Sequence, residues 1–176
     1  MTLLGTAQAR AVGHLLKLEI TDWDDVPMAC SPLFRCLQTA AIICDEIGFD
    51  VERVTYDDRL MERHWGRWQT LLDSEIRVRY PDDWAARAAD KWGWPFPGGG
   101  ENYPMLEERI SGWLAEQTPD QTMVVVSHGE AGRIIRRLYL GTSPEETVSL
   151  PVPQNAVFRL EGDTCEELPT DPSRYL

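Results

Sequence analysis

The sequence has little positive charge and no long apolar segment. Only 17 Lys and Arg residues stand against 29 Asp and Glu residues, which gives a formal net charge of −12 at pH 7. A surface with this balance repels nucleic acid and anionic membranes on average, so we expect neither as a partner. The opening residues, M-T-L-L-G-T, form neither a basic leader nor an apolar run of the roughly 20 residues that span a bilayer. These features predict a cytoplasmic protein.

Motifs that bind metal ions or nucleotide cofactors are also absent. The chain has four cysteines, and none of them forms a C-x-x-C pair. Three of the cysteines lie in segments that look like buried strand or helix. Unpaired cysteines of this kind are more typical of reduced cytosolic thiols than of a zinc site or a disulfide framework. No Walker loop occurs either. We therefore expect no metal and no cofactor.

What the chain does contain suits a packed globule. Its 176 residues are 43% apolar, and seven tryptophans are spread along the sequence rather than confined to a repeat. A chain of this length can bury one substantial core, and no segment has the composition of a linker. We expect a single domain over residues 1–176.

Strand patterns alternate with helix patterns. Helical spacing of apolar residues occurs in four segments, at 6–20, 31–47, 101–117 and 130–140. Residues 71–80 and 83–91 are predicted to form two further helices, separated by Pro81. Short apolar runs predict buried strands at 26–30, near 51–56 and at 122–127, and a turn at 161–163 predicts a hairpin over 156–168. Such alternation is typical of an α/β fold, with a mostly parallel sheet and helices on both faces. The glycine- and proline-rich segment 92–100 is expected to be a lid or loop.

Two side chains follow predicted parallel strands at the carboxyl end, where such sheets bind ligands. His128 lies in a tight turn directly before a helix, so the helix amides and the imidazole together could hold an anion. Arg35 lies four residues after Ser31, in the first turn of its helix, and a guanidinium binds two phosphate oxygens at once. Taken singly, each could equally be an ordinary core or solvated residue, and the hypothesis depends on the two occurring together.

Glu62 is a third candidate. It lies in the loop L-M-E-R-H-W-G-R-W, where tryptophans could exclude water and raise the pKa of a carboxyl group enough for proton donation to a leaving oxygen. The alternative is a solvated loop glutamate.

Six segments of the chain, in order, resemble the pattern of the histidine phosphatase (phosphoglycerate mutase-like) superfamily. They are L-L-G-T-A-Q-A at 3–9, S-P-L-F-R-C-L-Q-T-A at 31–40, L-M-E at 60–62 with Gly66 and Trp68, P-G-G-G-E at 97–101, V-V-V-S-H-G-E at 124–130 and N-A-V at 155–157. In this family, the residue that matches Arg35 clamps the phosphoryl oxygens, and the one that matches His128 stabilises transition-state charge. The residue that matches Glu62 protonates the leaving group. The resemblance implies a phosphomonoester hydrolase or phosphomutase acting on a small phosphorylated substrate, with inorganic phosphate as a ligand.

The sequence departs from the family pattern at one essential point. Family members attack phosphorus with the histidine of an R-H-G turn that ends their first strand, and no R-H-G occurs among these residues. Neither His14 nor His64 matches that position. We therefore expect the chain to be truncated at its N-terminus and inactive as given. We also expect a gap in the sheet where the family has a central strand.

Three hypotheses remain open at this stage. The true gene product could be longer and active, or the chain could be a noncatalytic relative that binds a phosphorylated ligand or partner. In a third, purely structural role, the loop 92–96 would bind another protein. The segment 84–100 is expected to shape the leaving-group pocket. The sequence specifies neither the substrate nor whether the chain forms a homodimer.

Overall fold

The computed structural model describes all of residues 1–176, and its five strands form two separate sheets. Strands β1 (Met28–Cys30), β2 (Val54–Tyr56) and β3 (Val124–Val126) form a parallel sheet in the order β2-β1-β3. Strands β4 (Ala156–Glu161) and β5 (Thr164–Pro169) form an antiparallel hairpin. The predicted α/β architecture with a parallel sheet is confirmed, and each parallel strand is shorter than its apolar run.

Seven α-helices accompany the strands. They are α1 (Leu3–Glu19), α2 (Phe34–Ile47), α3 (Asp73–Arg79), α4 (Pro81–Ala89), α5 (Tyr103–Leu114), α6 (Gly129–Leu140) and α7 (Pro144–Ser149). None of these helices combines the length and the apolar character that crossing a membrane requires.

Two helix starts differ from the predictions. Helix α1 begins before Thr6, because Thr2 caps it by accepting a hydrogen bond from the Gly5 amide. Ser31 does not cap α2, since the N-cap position is Leu33. The Ser31 hydroxyl instead accepts from the Leu33 amide in a local turn at 3.3 Å and is completely buried. The buried Ser31 hydroxyl lies at the site described below.

Apolar residues cover the parallel sheet on both faces. Met28 and Cys30 pack in the cluster that contains α2 residues such as Ile43. Ala29, between them, packs with Trp113 of α5. Because neighbouring strand residues point to opposite faces, this alternation means that the sheet is a middle layer between α1–α2 and α5–α6.

A second, aromatic cluster fills the space beneath α3 and α4. Trp68, Ile76 and Phe96 are fully buried there, with Trp65, Leu71, Tyr80, Trp84 and Trp94 packed around them. The segment 92–100 is therefore a packed loop and not a lid. The Arg67 amide donates to the Pro97 carbonyl, and the Glu101 amide donates to the His64 carbonyl at 2.8 Å.

Strand β3 is paired along one edge only. It pairs with β1, and no strand pairs with its other edge. The β4–β5 hairpin forms its own sheet, although Val157 of β4 packs against the same apolar cluster as Val126 of β3.

Candidate functional site

The carboxyl ends of β1 and β3 bring Arg35 and His128 into direct contact. The Arg35 Nε atom donates to His128 Nδ1 at 2.9 Å. Arg35 is exposed, and its two terminal nitrogens have no protein acceptor, so they remain available to an anion. The two candidates that the sequence placed 93 residues apart therefore line one site.

The contact with Arg35 fixes where His128 carries its proton. A guanidinium nitrogen is always a donor, so His128 Nδ1 must be the acceptor and the proton of the neutral ring lies on Nε2. That Nε2 atom lies 2.8 Å from the Ser31 hydroxyl and 3.4 Å from Cys36 Sγ. The imidazole therefore donates to Ser31 rather than accepting its proton, which means that Ser31 is not activated as a nucleophile.

The surroundings of His128 favour the neutral ring. Burial, followed by the charges of Arg35 and Arg109, lowers the pKa of His128 from 6.5 to about 4. At neutral pH the site therefore holds a neutral imidazole, whose N–H is bound to Ser31, and a guanidinium with two free terminal nitrogens. A dianionic ligand would stabilise the protonated ring and reverse part of this shift.

Cys36 is a poor nucleophile in this position. Its side chain donates to the Ser127 carbonyl at 3.2 Å and is almost entirely buried. Burial raises the pKa of the thiol to about 11, although Arg35 and the Ser31 hydrogen bond oppose the shift. All four cysteines are free, and no group of three or more His, Cys, Asp or Glu side chains is arranged to hold a metal ion.

Glu62 lies at the N-terminus of α6. Its carboxylate accepts from the amides of Glu130 at 3.3 Å and Ala131 at 3.2 Å. The expectation that these helix amides would hold a ligand anion is therefore wrong, because the Glu62 carboxylate already occupies them. The same contacts bring Glu62 next to the turn that carries His128.

Burial raises the pKa of Glu62, and the charge of Glu130 adds to the effect. Hydrogen bonds from three backbone amides oppose this shift without cancelling it. A carboxyl group with a raised pKa is better suited than an ordinary one to donating a proton, and the role of Glu62 as the proton donor stays a prediction.

Arg63 and Glu130 form a buried ion pair beside Glu62 that sequence reasoning missed. Arg63 is 2% exposed and binds the Glu130 carboxylate through two nitrogens, at 2.9 and 2.7 Å. Glu130 also accepts from Trp65 Nε1 and the Tyr103 hydroxyl. A loop arginine gives no sequence signal of burial, since its partner lies 67 residues away.

Arg109 holds the loop that carries Glu62. Its guanidinium donates to the backbone carbonyls of Arg59 at 2.6 Å and Glu62 at 3.3 Å. Glu101 fixes this guanidinium with two hydrogen bonds, at 2.7 and 3.0 Å. Glu101 belongs to one of the recognised motifs, whereas Arg109 was not a candidate.

The other two histidines lie outside this site. His14 is exposed on α1 and lines a cavity of about 180 Å³ with C-terminal residues such as Arg174. His64 is exposed and accepts from the Gly66 amide through Nδ1. His128 is therefore the only histidine of the chain at the site.

An arginine and a histidine at the carboxyl ends of parallel strands, with a protonatable carboxyl group nearby, suit the capture of a phosphoryl group. The chain belongs to the histidine phosphatase superfamily (branch 1), whose family profile matches residues 1–168.

Individual relatives are similar over much of the chain. A 2,3-bisphosphoglycerate-dependent phosphoglycerate mutase of Methylobacterium sp. is 27% identical over 95% of this chain and 82% of its own length. Phosphoserine phosphatase 1 of Hydrogenobacter thermophilus is 31% identical over 70% of this chain, which spans only 56% of that enzyme.

A solved structure also matches. Mycobacterial glucosyl-3-phosphoglycerate phosphatase in complex with inorganic phosphate superposes with a TM-score of 0.67 at 25% identity. The match covers 86% of this chain and 74% of that one.

Proposed function

We propose that this chain carries the phosphate clamp and the proton donor of a phosphomonoester hydrolase or phosphomutase. Arg35 and His128 would hold the phosphoryl oxygens, and Glu62 would protonate the leaving oxygen. The observation that carries this proposal is the contact between Arg35 and His128, which leaves the two terminal guanidinium nitrogens available to one small anion. The imidazole Nε2–H, which donates to Ser31 at 2.8 Å, would bind the anion in exchange for that partner. Small phosphorylated compounds and inorganic phosphate are the expected ligands, and a cytoplasmic location, which the four free cysteines support, remains a prediction.

We propose further that residues 1–176 bind phosphate without turning it over. No histidine besides His128 lies at the site, the Ser31 hydroxyl accepts a hydrogen bond from His128 rather than donating one to it, and the Cys36 thiol is protonated. Absence of the attacking residue is expected to lower turnover by roughly 10³ to 10⁶. A phosphohistidine mechanism would then need a histidine carried on a further strand, for which the unpaired edge of β3 is the natural place.

The binding half of the proposal is tested by isothermal titration with inorganic phosphate. Arg35→Ala and His128→Ala should each weaken affinity by about tenfold or more, because each removes a hydrogen bond to a charged ligand. Arg10→Ala is the matched control, since Arg10 is an exposed arginine with no hydrogen-bond partner. Equal affinity in all four proteins would contradict the proposed site.

The catalytic half is tested by extending the chain upstream with a strand that ends in R-H-G. Hydrolysis of p-nitrophenyl phosphate should appear with this strand, should be absent with an R-A-G version, and should be lost again in Arg35→Ala, Glu62→Gln and His128→Ala. Activity that persists without the added histidine would refute the missing-nucleophile proposal. Phosphate binding with no activity in any extended chain would favour the noncatalytic alternative, a phosphate-ligand or partner-binding pseudoenzyme.

A further inference from the structure

A cavity of about 410 Å³ opens directly beside the proposed phosphate site. It begins at Glu62 and at Gly129, the residue after His128, and extends under the turn formed by residues 65–71. Arg35 and His128 do not line the cavity, and we place the ester substituent there because the wall includes Glu62, the proposed proton donor to the leaving oxygen. None of the residues from Trp84 to Gly100 lines the cavity. This segment was expected to shape the pocket, and it contributes only by packing against Trp65 and Trp68, which do line it.

Arg63 is the only cation in the cavity wall, and its charge is already paired with Glu130. Its side chain is 1% exposed and binds both oxygens of Glu130, while its guanidinium lies 4.0 Å from the ring centre of Tyr103 and 4.8 Å from that of Phe96. An incoming anion could use Arg63 only by breaking this ion pair and leaving Glu130 unpaired.

Arg87 does not supply a free positive charge either. It lies outside the cavity wall, over the rings of Trp65, Trp84 and Phe96 at 5.4 to 5.7 Å. With Glu62 and Glu130 against Arg63, the wall has a net charge of −1, or zero when Glu62 is protonated. A second anionic group on the ligand would meet this wall with no cation to pair with.

The rest of the wall is neutral and partly polar. Two exposed amide side chains, Gln69 and Gln154, lie among Trp65, Leu71 and Val152. Amide groups both donate and accept, so they suit hydroxyl groups, and the tryptophan suits the apolar face of a sugar or an aromatic ring.

We infer that this cavity selects phosphomonoesters of uncharged, hydroxyl-bearing alcohols and discriminates against those that carry a carboxylate or a second phosphate. The inference rests on the proposed function, since it assumes that the phosphate lies between Arg35 and His128. It separates this chain from relatives that are named for phosphoglycerate or bisphosphoglycerate.

The test compares two esters with one carbon skeleton. Glycerol 3-phosphate ends in a hydroxymethyl group where 3-phosphoglycerate ends in a carboxylate. Isothermal titration of the 176-residue chain should give at least about tenfold tighter binding of glycerol 3-phosphate, because the carboxylate meets a wall with no free cation to pair with. Gln154→Lys places a cation in the wall and should shift the ratio of the two affinities toward 3-phosphoglycerate by about tenfold. Gln121→Lys is the matched control, because Gln121 lies outside the cavity and donates to the Asp25 carbonyl. It makes the same charge change and should leave the affinity ratio unchanged.

The outcomes separate this inference from the proposed function. If inorganic phosphate binds through Arg35 but 3-phosphoglycerate binds as tightly as glycerol 3-phosphate, the selectivity is wrong and the phosphate site stands. If both esters bind no better than inorganic phosphate, the cavity does not hold the alcohol half and the inference fails alone. If none of the three ligands binds, the proposed function fails and the inference fails with it.

Discussion

At the scale of single residues, the charge state of His128 depends on its contact with Arg35. A neutral imidazole can accept from Arg35 without repelling it, whereas an imidazolium beside a guanidinium would be unstable. This arrangement requires Arg35 to occupy Nδ1, so the two side chains act as one unit. The sequence predicted both residues, but it gave no signal for the tautomer, which depends on Ser31 and Arg35 in three dimensions.

The lowered pKa of His128 predicts a specific dependence of stability on pH. The folded-state pKa of about 4 lies below the unfolded value of 6.5, so the unfolded chain binds more protons between these values. The stability that the neutral ring contributes is therefore complete above pH 6.5 and decreases as the pH falls toward 4. Allowing for solvent screening, we expect a loss of about 1 to 2 kcal/mol.

Urea unfolding of wild type and His128→Gln between pH 4 and 7.5 measures this contribution. The difference in unfolding free energy between the two proteins should shift against the wild type by about that amount as the pH falls. A difference that stays constant across the range would show that His128 titrates normally in the folded protein.

The Cys36 thiol provides a second prediction at this scale. With a pKa of about 11, roughly one thiol in a thousand is ionised at pH 8, compared with about a quarter for a free cysteine. Iodoacetamide at pH 8 should therefore leave Cys36 unmodified in the folded protein and alkylate it after unfolding, as peptide mass spectrometry would reveal. Rapid alkylation of the folded protein would reopen Cys36 as a candidate nucleophile.

At the scale of secondary-structure elements, the site depends on loops fixed by backbone packing. The turn at Gly66 lies against the loop at Pro97 so closely that a Cβ on Gly66 would lie 2.3 Å from the Pro97 carbonyl oxygen. Gly66 also has a φ of +53°, which side-chain-bearing residues rarely adopt. This contact holds the loop that contains Glu62 and Trp65 against the aromatic cluster.

Gly66→Ala should therefore destabilise the protein by about 2 to 4 kcal/mol, through the steric clash and the strained φ. Gly112→Ala is the matched control, because Gly112 lies within α5 with open space around its Cβ position, and there alanine should stabilise by about 0.5 to 1 kcal/mol. Urea denaturation measures both changes. Equal effects of the two substitutions would mean that the Gly66 contact does not constrain the fold.

The elements themselves were partly predictable. Hydrophobic periodicity located the strands, the long helices and the hairpin, because burial on one face imposes a regular spacing. It missed α7, a helix of six residues that is too short for a period to register and is formed instead by the capping box of Ser143 and Glu146. Glycine and proline content predicted a lid or loop at 92–100, and the structure has a loop that Phe96 anchors in an aromatic core, which no local pattern specifies.

At the scale of the whole molecule, the site joins parts of the chain that are far apart in sequence. Parallel strand order explains why Arg35 and His128 could be predicted together, since both follow strands that end at one edge of the sheet. The supporting pairs, Arg63 with Glu130 and Arg109 with Glu101, could not be predicted. Their partners are set by how helices α5 and α6 pack on the loop at 59–66, which depends on the complete fold.

The division of the strands into two sheets is the other feature of the whole molecule that bears on function. Strand β3 has an unpaired edge, and β4 belongs to a separate hairpin that nevertheless packs on the same core. A further strand at this edge would continue the sheet and deliver a side chain from its carboxyl end to the site beside His128. Binding and turnover can therefore be separated experimentally, because the proposed phosphate clamp uses Arg35 and His128 and no residue of that further strand.

The most direct measurement follows the histidine side chains by ¹H–¹⁵N NMR while inorganic phosphate is added at pH 7. Of the three histidines, His128 alone should respond, with a change in the chemical shifts of its imidazole nitrogens, and Arg35→Ala should abolish the response. Unchanged His128 signals at saturating phosphate, or an identical response in Arg35→Ala, would contradict a phosphate clamp built from these two residues.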